Sequence, residues 1–135
     1  MKTLFLSTWF PYPPDNGSKI RAYHLLRALA HSHRVTLVAF RPPGGSTNRR
    51  FPMPEPNDIQ VYPVPADPYH YVNVPRVVKF ASAIPVACWP SRLMRQTVAE
   101  VASSGQWDAV VAFQSSAARY ALQLLGIPRI LDLDV

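Results

Sequence analysis

The chain is short of the residue types that most often mark a redox or nucleotide site: it holds one cysteine, Cys88, and five glycines in 135 residues. A single cysteine forms no internal disulfide and has no C-x-x-C partner for metal or thiol chemistry, which fits a reducing, cytoplasmic compartment. Sparse glycine leaves no G-x-G-x-x-G after the first apolar run and no Gly-Lys-Ser/Thr phosphate loop, so ordinary dinucleotide oxidoreductases and ATPases are disfavoured. Long apolar runs are missing as well. Nothing approaches the roughly 18 residues that span a bilayer, and residues 1–7 are too short for a signal-peptide core, so the expectation is a protein neither integral nor secreted by that route. His24, His31, His33 and His70 have no cysteine or carboxylate at ligand spacing, and no metal site is expected.

Proline is what the chain has instead, 15 of them, about twice average usage. With 48% hydrophobic and 16% charged residues, the composition suits one domain, residues 1–135, burying about two thirds of its unfolded surface. The net charge of +6 is unevenly placed: residues 1–50 carry eight Lys/Arg against Asp15 alone, whereas residues 51–100 balance at four against four. One face of the N-terminal half is expected to be basic.

Thr3-Leu4-Phe5-Leu6 is a compact apolar run that predicts a buried strand over residues 2–7. A loop with three prolines follows, residues 9–18, and a helix from about Lys19, with Ala22, Leu25, Leu26 and Leu29 inward and Arg21, His24, Arg27 and His31 outward. Strands are expected at 35–40, 59–64, 109–113 and 129–134. Residues 41–57 read as a long excursion, and residues 76–84 as a short apolar helix. Ser91 predicts an N-cap for a helix with Met94, Thr97, Val98 and Val101 inward, stopping at Gly105. A last helix is expected over 116–125 with Ala118, Ala121, Leu122 and Leu125 inward, ended by Gly126. Strands alternating with helices predict the doubly wound α/β class, a parallel sheet with helices on both faces. Ligands of such sheets bind beyond the carboxyl ends of the strands. That rule singles out residues 8–18, 41–45, 114–116, Asp132 and Asp134.

Asp15-Asn16-Gly17-Ser18 opens directly into a helix, so its free N–H groups and the helix dipole can face an anion; alternatively Asn16 or Asp15 only caps the helix while Gly17 supplies a positive φ. Gly44-Gly45 follows a strand but reads as a turn. Ser115 and Ser116 can offer hydroxyls to a sugar or phosphate, or cap the helix behind them, and no histidine lies nearby to activate them. Asp132 and Asp134 share one strand face, as carboxylates holding a sugar hydroxyl or metal would, or as solvated groups. The basic stripe lacks interleaved aromatics, which argues against nucleic acid as a partner. With Lys19 it suits an anionic membrane surface.

Leu4-Phe5-Leu6-Ser7, Phe10-Pro11-Tyr12-Pro13-Pro14-Asp15-Asn16-Gly17 and Ile20-Arg21-Ala22-Tyr23-His24-Leu25-Leu26-Arg27-Ala28-Leu29 together resemble the start of family 4 glycosyltransferases, in particular the exopolysaccharide-type sugar transferases. The resemblance is specific over residues 3–40 and looser beyond. It implies the N-terminal, acceptor-side half of a GT-B fold, two Rossmann-like domains facing each other over a cleft, with the C-terminal donor domain absent here. It further implies a retaining transferase that moves a sugar from a nucleotide-sugar donor to a glycan or lipid-linked acceptor, the nucleotide sugar being a substrate and no cofactor being required. By the same resemblance Asn16, Gly17 and Ser18 approach the donor diphosphate and sugar. Lys19, Arg21, His24 and Arg27 face acceptor or membrane, and Ser115 and Ser116 are candidate sugar contacts. The sequence departs from the family in having Gly17-Ser18 where many members have Gly-Gly, and Gln114-Ser115-Ser116 where many carry a histidine. The competing expectation is a stand-alone α/β module that binds a membrane or a partner protein without catalysis.

Overall fold

The computed structural model describes residues 1–44, 51, 59–66 and 90–133. In chain order they form β1 (Lys2–Ser7), α1 (Gly17–Ser32), β2 (Arg34–Arg41), β3 (Gln60–Pro65), α2 (Arg92–Ser103), β4 (Ala109–Phe113), α3 (Ser115–Ala121) and β5 (Arg129–Asp132). The five strands make one parallel sheet in the order β3-β2-β1-β4-β5. β1 is central, with Phe5 in register between Leu37 of β2 and Val111 of β4.

A parallel sheet is covered on both faces, and the near-continuous apolar strands follow from that. Leu4, Leu6, Val38, Val64, Val110 and Ala112 pack under Met94, Val98 and Val101 of α2 and Ala117, Tyr120 and Ala121 of α3. Phe5, Leu37, Ala39, Val61, Val111 and Phe113 turn the other way, against Ala22, Leu26 and Ala30 of α1. The fold is therefore α/β and Rossmann-like, with helices on both faces of a parallel sheet.

Ser91 caps α2 by accepting from Met94 N at 3.2 Å, as its sequence position predicts. Two helices differ from expectation. α1 begins at Gly17 rather than Lys19, and its buried line is Ala22, Leu26 and Ala30, leaving Leu25 and Leu29 half-buried. α3 ends at Ala121 rather than near Leu125, and its inner face is Ser116, Ala117, Tyr120 and Ala121. Leu122 and Leu125, expected inward, are 65% and 82% exposed, and Ala118 is half-buried. Two helical frames compete in this stretch, 118/121/122/125 and 117/120/121/124. The second wins because it buries the Tyr120 ring, the largest fully buried side chain among the described residues, and its hydroxyl still accepts from Ser91 N at 3.0 Å. The expected helix over 76–84 and nearly all of the 41–57 excursion lie outside the described residues, as does Asp134.

Candidate functional site

Strand order decides where a ligand fits. From β1 the chain leads outward to β2 and β3, whereas β4, on the other side of β1, leads outward to β5. The carboxyl ends of β1 and β4 thus flank the point where the direction of winding reverses, the place at which open α/β sheets leave a crevice. Ser7 and Phe113 are in register there.

The lips of this crevice are joined by side chains. As the chain leaves β1, Ser7 Oγ donates to Trp9 O at 2.7 Å and makes the turn that presents Trp9. Trp9 Nε1 then donates to Gln114 Oε1 at 2.6 Å. Beneath it Thr8 Oγ1 and Ser116 Oγ share a hydrogen at 2.8 Å, both buried. Gln114 has φ 71° and ψ 155°, a conformation almost confined to glycine and worth about 1–3 kcal/mol of strain for other residues. Its N–H donates to Asp132 O at 2.8 Å, and its carbonyl accepts from Ala117 N at 3.1 Å. Asp132 Oδ1 in turn accepts from Arg21 Nη2 at 2.7 Å, the Arg21 side chain being 51% exposed.

On the β1 side, Asn16 is the N-cap of α1. It lies in extended backbone and its Oδ1 accepts from Lys19 N at 3.0 Å. Gly17 does not have the positive φ that its place in a tight turn suggested; among the described glycines only Gly44 and Gly126 do. Asn16 makes the turn through its side chain instead, and Gly17 is simply the first helical residue. A Cβ built there meets nothing within 4 Å, so the backbone at Gly17 stands open to approach. Ser18 follows half-buried. Lys19 is turned back onto the loop, its Nζ 2.8 Å from Asp15 Oδ1, and the hydrogen bond from Lys19 holds the Asp15 carboxyl below the usual carboxylate range. Arg21, His24, Arg27 and His31 are exposed along α1.

The Pro-rich loop is fixed by aromatic packing that the sequence pattern did not indicate. Phe51 lies 5.8 Å from Phe10, 6.3 Å from Tyr12 and 5.9 Å from Tyr23, ring centre to ring centre. Arg41, at the end of β2, sits over the Phe10 ring at 4.3 Å. No periodicity reaches Phe51, which is isolated among prolines.

Of the two serines read as sugar contacts, Ser115 is exposed while Ser116 is 8% exposed with its hydroxyl committed to Thr8. Asp132 is engaged by Arg21. Among the described residues no three His, Cys, Asp or Glu side chains converge on a metal position, and no helix is long and apolar enough to cross a membrane. Trp9 and Gln114 lie in the segments that the carboxyl-end rule selects, but their pairing, between residues 105 apart, has no local signal. An open groove of about 1260 Å³ lies on the opposite edge of the sheet, lined by Lys2, Arg34, Gln60, Trp107 and Asp108. That edge carries the amino ends of the strands, where parallel sheets seldom hold ligands.

No protein-family model matches the chain, and no curated protein matches it. Among solved structures it is similar to a UGT transferase from Siraitia grosvenorii, crystallised in complex with UDP, with a TM-score of 0.48 and 15% identity; the likeness covers 98% of this chain and 23% of that one. The chain thus spans under a quarter of that protein's length.

Proposed function

We propose that this chain is the N-terminal, acceptor-side half of a GT-B glycosyltransferase, of the retaining family 4 type, moving a sugar from a nucleotide-sugar donor to a glycan or lipid-linked acceptor. The observation that carries the reading is the winding reversal between β1 and β4, with the open backbone of Gly17 at the start of a 16-residue helix that follows β1. A diphosphate brought against Asn16, Gly17 and Ser18 meets the positive end of the α1 dipole. Arg21 is paired with Asp132, and it supplies charge to the departing diphosphate only by exchanging that carboxylate for the phosphate. Ser115, exposed at the start of α3, is the candidate hydroxyl for the sugar on the β4 side.

The chemistry divides between two domains. Departure of a nucleotide diphosphate is accelerated by preorganised donors on both sides of a closed cleft, and this chain supplies one side. By itself it binds and orients but does not turn over. Arg21, His24 and Arg27 face outward on α1, where they suit an acidic acceptor or the anionic surface that carries a lipid-linked one. Co-sedimentation with anionic vesicles should fall with added salt and with Arg21→Gln/Arg27→Gln; equal sedimentation with neutral vesicles removes the membrane clause.

The test of the main reading is a ¹H–¹⁵N titration of the chain with nucleotide sugars of different base and sugar. Shifts are expected at Gly17, Ser18, Trp9 and Ser115, and their loss in Gly17→Val, whose circular dichroism should match the parent. Nucleotide sugars that leave all four positions unmoved would overturn the placing of the donor at Asn16, Gly17 and Ser18.

A further inference from the structure

The connection from β4 to α3 departs from what a strand-to-helix turn needs. Gln114, its pivot, has a left-handed φ of 71° with ψ 155°, backbone that glycine adopts freely and glutamine does not. It occupies the N-cap position of α3 yet makes no side-chain capping bond, the usual reason for a polar residue there. Its side-chain oxygen instead reaches the loop after β1 and accepts from Trp9 Nε1 at 2.6 Å. Its backbone N–H holds Asp132 O at 2.8 Å, and the Asp132 carboxylate holds Arg21 at 2.7 Å. One strained residue therefore ties the β1 loop to β5, and through Asp132 to α1, around the mouth of the crevice.

We propose that Gln114 is a positioning residue: its backbone, held where glycine would be at ease, fixes the Trp9 indole as a preset wall on the β1 side of the crevice. A tryptophan has two side-chain torsions to fix, and its indole N–H, partly withdrawn from water, is costly to leave without an acceptor. An acceptor anchored on the opposite lip sets the ring before any ligand arrives, and a preset wall lowers the ordering cost of binding. The ligand that meets this wall is the nucleotide sugar, so the inference rests on the reading above.

The experiment compares Gln114→Gly, Gln114→Ala and Gln114→Glu in the 135-residue chain, with Trp9→Phe used to assign the Trp9 indole cross-peak. Gly and Ala both delete the amide, but only Gly relaxes the backbone. Gln114→Gly should therefore melt a few degrees above Gln114→Ala, the reverse of their ordinary order. In both, the Trp9 indole cross-peak should move and its proton exchange with water on the order of tenfold faster, while Gln114→Glu, which keeps an acceptor oxygen at the same reach, should return it towards the parent position. Dissociation constants for UDP-glucose or GDP-mannose, whichever the parent binds, should rise up to about tenfold in the Gly and Ala variants, the size expected when one side chain has to be ordered on binding. An unmoved indole cross-peak, an Ala variant that melts above the Gly variant, or unchanged dissociation constants would each overturn the positioning role. A parent chain that binds neither nucleotide sugar would overturn the donor placement and the wall's ligand with it, while the cross-peak and the melting order still decide what Gln114 does to Trp9.

Discussion

Two strand-to-helix turns face each other across the switch point, and they are built on opposite plans. The turn from β1 to α1 contains a glycine yet is relaxed, because Asn16 caps the helix and Gly17 has an ordinary helical backbone. The turn from β4 to α3 contains no glycine, lacks a side-chain cap and carries the one positive φ found among the described non-glycine residues. The glycine thus sits where the backbone is open, whereas strain sits where side chains tie the two loops together. The switch point is therefore relaxed and open on one side, strained and cross-braced on the other.

The largest effect should come from removing what anchors the braced side. Tyr120 is fully buried and its hydroxyl accepts from Ser91 N, so Tyr120→Ala should cost about 3–5 kcal/mol, read from urea unfolding. A loss under about 1 kcal/mol would mean that α3 does not depend on this ring. Next comes the buried hydroxyl pair. Ser116→Ala leaves Thr8 Oγ1 without that partner and should cost about 1–3 kcal/mol, whereas Thr8→Val with Ser116→Ala should recover much of it, since both polar groups then disappear. Strict additivity would show that the two hydroxyls do not interact.

The relaxed side should respond less. Asn16→Ala removes the cap of α1 and should lower stability by about 1 kcal/mol in thermal melts, with Asn16→Asp close to the parent. The smallest effect concerns pH. The Asp15 carboxyl is held below its ordinary value of 3.8 by Lys19, so its contribution is present above that value and fades as the pH falls through the lowered one. Because the pair is exposed, Asp15→Asn should lower the melting temperature only slightly at neutral pH, and the two proteins should converge in strong acid or high salt. A gap that widens in acid would reverse the sign.

The layers of the fold were legible in the sequence because buried parallel strands write themselves as unbroken apolar runs. Thr3–Leu6 and Ala109–Phe113 needed no other information, and the bounds of β4 match residue for residue. Helix faces were less legible. In α3 the spacing of Ala118, Ala121, Leu122 and Leu125 fits a helix as well as the true frame does, and only the space beneath Tyr120 decides between them. The segments bordering the crevice follow from the carboxyl-end rule. Which side chains meet there does not, because Trp9–Gln114, Thr8–Ser116 and Arg21–Asp132 each join residues more than a hundred positions apart. The strain at Gln114 left no trace in composition, since a glutamine, unlike a glycine or an asparagine, does not suggest a positive φ.

The central place of β1 also sets the order in which the molecule can be finished. Its partner on one side, β2, follows within about thirty residues, but on the other side Thr3 waits for Ala109. A chain emerging amino end first can therefore zip β1 to β2 and β3 early, while the opposite edge of its innermost strand stays bare until β4 has been made. Closing so long a loop is slow compared with local pairing. Until residues 109–113 have been made, β1 carries an open, apolar edge, a template for pairing with any other strand in reach. The same adjacency that sets the switch point makes β1 dependent on a strand more than a hundred residues further along the chain.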